Sequence, residues 1–125
     1  MFDHVKFGVS DFEASKRFFL QALAPLGVYV AGEGEPSYGI ELVRPGSNAS
    51  LVLFLTQERP AHLHIAFEAA TRQQVDDFYA AALAAGAKDN GPPGLRPHYN
   101  ANYYAAFVIA PDGHNIEMVC QVAQG

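Results

Sequence analysis

His4-Val5-Lys6-Phe7 and His64-Ile65-Ala66-Phe67 are two versions of one stretch, set 60 positions apart. At the same shift Phe18, Phe19, Ala22 and Leu23 fall on Phe78, Tyr79, Ala82 and Leu83. Self-similarity at a fixed period marks a repeated structural unit. The matched positions are those that face a core: Val75, Phe78, Tyr79, Ala82 and Leu83 follow the i, i+3, i+4, i+7, i+8 stripe of an amphipathic helix. Both helices open on a capping-box pattern, Ser10-Asp11-Phe12-Glu13 and Thr71-Arg72-Gln73-Gln74, in which the hydroxyl takes an orphan N–H and the Glu or Gln reaches back. Gly86 and the Pro25-Leu26-Gly27 segment stop them.

Short strand-like runs follow each helix. In the first half they are Gly27–Ala31, Tyr38–Arg44 and Ser50–Thr56; in the second, Ala87–Asn90, Tyr103–Ala110 and Asn115–Val122. Arg44-Pro45-Gly46-Ser47-Asn48 and Ala110-Pro111-Asp112-Gly113 are the turns between the last two strands of each half. Each half therefore reads β-α-β-β-β, module one over residues 1–58 and module two over 61–122 of a single 125-residue domain. Two such modules, each with a helix on one sheet face, predict an α+β fold whose mixed sheet curves around a cavity.

Composition agrees with a protein that folds on its own core. Half the residues are apolar and 17% are charged, so neither a disulfide nor a structural zinc is needed, and the single Cys120 has no partner in the chain. Thirteen carboxylates against eight Lys and Arg leave a formal charge of -5 with no basic block, which argues against nucleic acid and anionic membranes as partners. The N-terminus lacks the basic-then-apolar pattern of a signal peptide, and the longest aliphatic run, Leu51–Leu55, is strand-sized. A cytoplasmic protein is the expectation.

Strand parity then selects a candidate site. Side chains alternate between faces, so His4 lies with Lys6 and Gly8 while Val5, Phe7 and Val9 face the helix. The same count groups His62, His64, Ala66 and Glu68 opposite Leu63, Ile65 and Phe67, and separates Asn115, Glu117 and Val119 from Ile116, Met118 and Cys120. His4, His64 and Glu117 thus fall on the face away from the helices. Two imidazoles and a carboxylate suit Zn, Ni, Fe, Mn or Co and leave coordination positions open. Glu117, set between Ile116 and Met118, is costly to bury without a cation.

The ending Tyr103-Tyr104-Ala105-Ala106-Phe107-Val108-Ile109-Ala110-Pro111-Asp112-Gly113-His114-Asn115-Ile116-Glu117-Met118-Val119 completes a pattern. With a His on the first strand of each module, it resembles the vicinal oxygen chelate superfamily, the glyoxalase, bleomycin-resistance and extradiol dioxygenase group. The resemblance covers essentially the whole chain and is most specific in Pro111–Glu117. It implies paired modules around a divalent metal that chelates vicinal oxygens of a small substrate. It assigns His4, His64 and Glu117 as ligands, and it implies a homodimer with the site shared between modules. One departure stands out: the fourth ligand of glyoxalase I, a Glu on the fourth strand, would fall within Leu51-Val52-Leu53, where there is no carboxylate. The potassium-binding loop of the fosfomycin-resistance transferases is also not recognisable.

Gly91-Pro92-Pro93-Gly94-Leu95-Arg96-Pro97-His98-Tyr99-Asn100 reads as a shaped loop over the mouth of the second module's cavity. Arg96 there can pair with an anionic substrate group, and His98 or Tyr99 can move a proton. Phe2, Tyr99 and Tyr103 offer an aromatic lining for the substrate. His62 reads as an exposed strand start, His114 as solvent-exposed after its turn, and Cys120 as buried. The leading expectation is a metal-dependent lyase or isomerase in which Glu117, His98 and Tyr99 handle protons. A ring-cleaving dioxygenase, a thiol transferase and a non-catalytic drug-binding protein are the alternatives.

Overall fold

Alternating apolar residues in each run set the strands, and the computed structural model places them as follows, describing residues 1–58 and 61–124. In chain order the elements are β1 (His4–Val9), α1 (Phe12–Ala22), a 3-10 turn (Ala24–Leu26), β2 (Tyr29–Glu33), β3 (Ile40–Val43), β4 (Ser50–Leu55), β5 (His64–Glu68), α2 (Arg72–Ala84), β6 (Lys88–Leu95), β7 (Tyr104–Ile109) and β8 (Asn115–Cys120). The fold is α+β. The strands divide into two four-stranded mixed sheets, ordered β1-β4-β3-β2 and β5-β8-β7-β6. In each, the first strand lies parallel to the last and the remaining pairs are antiparallel.

The helices start and stop for local reasons. Thr71 caps α2 as its sequence predicts, accepting from the Gln74 amide at 3.1 Å. The reciprocal arm differs, because Gln74 Oε1 accepts from the Ala70 amide at 2.7 Å. In α1 the cap is one residue later than Ser10: Asp11 Oδ1 accepts from the Ala14 amide at 3.1 Å. Ser10 is engaged elsewhere, donating from both its amide and its hydroxyl to the Asp112 carboxylate at 2.7 Å each. A contact between distant segments thus overrides the local capping pattern. Gly86, at φ +97, follows the end of α2 in the left-handed region that favours glycine.

Phe18, Phe19, Val75, Phe78 and Ala82 are at most 1% exposed, so most of the helical stripe read from the sequence is buried, whereas Leu83, at the end of α2, is 37% exposed. Each large side chain removed from water contributes about 1.5–3 kcal/mol. One core runs through both halves and includes Phe7, Val9, Leu53, Ile116 and Met118. Cys120 is buried within it, as its parity predicts. No helix among the described residues is long and apolar enough to cross a membrane.

One expectation fails in part. The stretch from Gly91 to Leu95 is the second part of β6 and not loop. Its pairing with β7 slips between Asp89 and Gly91 and again between Gly91 and Gly94, which leaves Pro92 and Pro93 outside the paired register. Proline is tolerated there because β6 is an edge strand, and the irregular register removes the demand for an amide donor. The connection proper begins at Arg96, where the Arg96 amide donates to Tyr103 O at 2.8 Å.

Candidate functional site

β5 and β8 run side by side, with His64 opposite Asn115 and Ala66 opposite Glu117. Parity then brings His64 and Glu117 together on the face away from α2. His64 Nε2 lies 2.8 Å from Glu117 Oε1, with the histidine side chain 54% exposed and the carboxylate 3%. The second carboxylate oxygen, Oε2, accepts from the Tyr103 hydroxyl. Both oxygens of a buried acid are therefore occupied by neutral or cationic donors, which is what makes its burial tolerable. Burial in the first place, and the carboxylate it donates to, push the Tyr103 hydroxyl up to about 12.

The aromatic side chains continue outward. Tyr99 packs against Tyr103 with ring centres 4.8 Å apart, and His98 against Tyr99 at 4.2 Å. Phe107 stands opposite Glu117 in the β7–β8 register, its ring 6.2 Å from that of His64. Arg96 lies over Phe107 with its guanidinium carbon 5.4 Å from the ring centre. Its two terminal nitrogens donate to Gly94 O at 2.8 Å and Pro92 O at 2.7 Å, so the carbonyls of Pro92 and Gly94 in β6 aim the guanidinium. Phe107 shares strand parity with Tyr103, the one sequence signal that places it on this face.

His64, Glu117, Tyr103, Tyr99 and His98 thus form one connected group, with Arg96 beside it through Phe107. His4 does not join that group, and Phe2 meets it only through a cavity that it lines with His64. His4, on β1 of the other sheet, places Nδ1 2.7 Å from Asp3 Oδ1 and is itself 54% exposed in its side chain. Phe2 is 66% exposed. Among the described residues no three His, Cys, Asp or Glu side chains converge on a point suited to a metal. His64 and Glu117 form a two-residue pair, and His4 stands apart from it.

His114 departs from expectation. It is 2% exposed, not solvated. Its Nδ1 accepts from the Leu63 amide at 3.0 Å, and its ring meets Phe7 edge-on at 4.9 Å. The turn before it, held by Asp112 to Ser10, packs onto β1 of the other half, a long-range contact that parity within one strand does not reveal. The amide donor at Nδ1 requires the ring proton on Nε2 in the neutral form. His62 is exposed, as read, with its ring 6.0 Å from that of His114.

Two β-α-β-β-β units, with a histidine and a buried glutamate on neighbouring strands of the second, define a paired-module protein with an open-face polar site. The chain belongs to the glyoxalase/bleomycin resistance protein/dioxygenase superfamily, whose model matches residues 1–118. Among solved structures it is similar to a glyoxalase/bleomycin resistance protein from Albidiferax ferrireducens T118, at 30% identity and a TM-score of 0.79 over 98% of this chain and 99% of that one. A glyoxalase-related enzyme from Fulvimarina pelagi shares 21% identity, with a TM-score of 0.74 over 96% and 87% of the two chains. A glyoxalase/bleomycin resistance protein/dioxygenase family enzyme from Burkholderia phytofirmans PsJN shares 16%, with a TM-score of 0.75 over 96% and 98%. The last two likenesses bear on the fold alone. No curated protein matches the chain.

Proposed function

We propose that the protein is a metal-dependent enzyme of the glyoxalase type, a lyase or isomerase acting on a small substrate with adjacent oxygens. The observation that carries this reading is Glu117: a carboxylate 2% exposed, in a chain of formal charge -5, held against an imidazole on an otherwise open sheet face. A purely structural acid gains little there, whereas a ligand carboxylate needs a fixed neighbour and a dry setting. His64 and Glu117 fit a divalent cation by donor type, and His4 from a second copy of the chain is the proposed third ligand. A cation so held supplies Lewis acidity to two vicinal oxygens.

The protein's own groups do the rest. Arg96, aimed by the Gly94 and Pro92 carbonyls, binds an anionic substrate group. Tyr103 fixes the orientation of Glu117 and, kept protonated to about pH 12, donates a hydrogen bond throughout the working range. Glu117, His98 and Tyr99 are the groups proposed to take and return the substrate proton. Phe2 closes the aromatic lining from the first strand's side.

Metal analysis of protein purified without a chelating tag tests the reading. About one divalent ion per site is expected, lost in Glu117→Gln and in His64→Ala. Retention of full metal content in both variants, or no metal after supplementation of the wild type, would sink it. Sharing between chains has its own test. His4→Ala and His64→Ala homodimers should each be inactive, and a mixed dimer should recover one working site in each heterodimer. A second reading, a non-catalytic binder of aromatic compounds, draws support from Tyr103 already occupying Glu117 Oε2. It would prevail if ligand affinity survived loss of His4, His64 and all metal.

A further inference from the structure

The two halves border a cavity of about 470 Å³ that Glu117, Tyr103 and Arg96 do not line. Its walls are Val5, Leu42 and Leu51 from the first sheet, Leu23 and Leu26 at the end of α1, and Ile65 and Phe67 from β5. By parity these strand residues point away from the His64–Glu117 face, into the space between the halves. His64, Ala66 and Phe2 line it as well, so the cavity meets the candidate site on the His64 side. The volume falls in the range of sites that hold small organic molecules, and the composition, apolar walls with few polar groups, is that of such sites.

One charge breaks the apolar lining. Arg44 borders the cavity, and no Asp or Glu is among the described residues that line it. Arg44 donates through one terminal nitrogen to Glu68 O at 2.8 Å. Among the described residues it forms no ion pair with a carboxylate. In a chain with thirteen carboxylates, a guanidinium left without one beside an apolar hollow has donors free for an anion.

We propose that this cavity binds a small monocarboxylate with an apolar body, aryl or branched alkyl, its carboxylate on Arg44 and its body between Leu51 and Phe67. The site shares His64 and Phe2 with the proposed metal site but not Glu117, and it does not rest on the metal reading. An ion-paired carboxylate in a partly desolvated setting is worth about tenfold or more in affinity over a neutral isostere.

Calorimetric titration of the purified protein with 2-naphthoate and with 2-naphthamide tests the proposal. The acid should bind at least about tenfold more tightly than the amide. Arg44→Met should make the two equal, while Arg44→Lys, which keeps the charge, should retain part of the preference. Ala49 is exposed at the rim, and Ala49→Trp should weaken both ligands by obstructing the entrance without disturbing the core. Glu117→Gln, with or without chelator, should leave naphthoate binding within about twofold, since Glu117 does not line the cavity. Equal affinity for acid and amide in the wild type, or no binding of either, would overturn the proposal. So would an Ala49→Trp or Arg44→Lys protein indistinguishable from wild type and from Arg44→Met respectively, or loss of naphthoate binding in Glu117→Gln. Failure of the metal reading instead shows as a metal-free wild type with naphthoate binding intact.

Discussion

The two halves of the chain share a plan and diverge at one strand position. Lys6 stands opposite Val52 in the first sheet, and Ala66 stands opposite Glu117 in the second. Counted from the two histidines, these are the same places. In the first half the open face carries a lysine whose amine lies 5.3 Å from the Phe54 ring centre and donates to Tyr38 O. In the second half a small alanine leaves room for a carboxylate, which His64 and Tyr103 hold from either side. Duplication supplied one scaffold twice, while the chemistry of a buried acid was built into one copy. The sharing of labour is visible in what each half retains: both keep the helix and its core stripe, and only the second keeps the acid.

The largest test of that comparison concerns what the halves have in common. Phe18 and Phe78 occupy matching helix positions and both are fully buried. Each Phe→Ala replacement should destabilise by about 3–5 kcal/mol in urea unfolding. Equal losses would support one continuous core, and a loss confined to one half would break it. The next test concerns what they do not share. Lys6→Ala combined with Val52→Glu gives the first half the alanine and carboxylate of the second, and should raise divalent-metal affinity about tenfold by competition with a fluorescent chelator. Unchanged affinity would mean that the two faces never meet around one ion.

A smaller effect is expected at the caps. Asp11→Ala and Thr71→Ala each remove a side-chain acceptor from a helix start and should cost about 1 kcal/mol. Ser10→Ala should leave α1 capped and instead loosen the Asp112 turn, read as faster amide exchange near Gly113. The smallest effect belongs to Tyr104, which has no tyrosine counterpart in β3. Its hydroxyl donates to Asp76 at 2.6 Å, and that bond first, then burial, raises its pKa above the ordinary 10.0. A group whose pKa is raised by folding contributes stability that is present below its unfolded value and lost as pH rises through its folded one. Wild-type stability should therefore fall more steeply than that of Asp76→Asn as pH rises above about 10. Parallel slopes would remove Asp76 from the account.

Local pattern carried much of this into the sequence. The helical stripes, the strand parity of Glu117 and the burial of Cys120 follow from periods that any single element displays. What local pattern could not carry is contact between elements. Ser10 looks like a cap until Asp112 is folded against it, and His114 looks solvated until its turn meets Phe7. Gly91–Leu95 looks like loop because Pro92 and Pro93 lack amide hydrogens, which is disqualifying in a central strand and harmless in an irregular edge. Repeat logic placed His4 and His64 on matching strands, but those strands lie in separate sheets, so the logic gives equivalence and not proximity within one chain. Arg44 reads in the sequence only as the end of a strand and start of a turn, and its place beside a cavity appears only when the two halves come together.

The prolines of β6 have an effect on how copies of the chain can meet. A sheet edge with regular amides invites a neighbouring strand to extend it, and two adjacent residues without N–H groups, set in a slipped register, deny that invitation along the middle of β6. Growth of the second sheet by strand addition is blocked at that margin, so chains that associate through this half are steered toward contact by faces, where side chains choose the partner, and away from open-ended stacking.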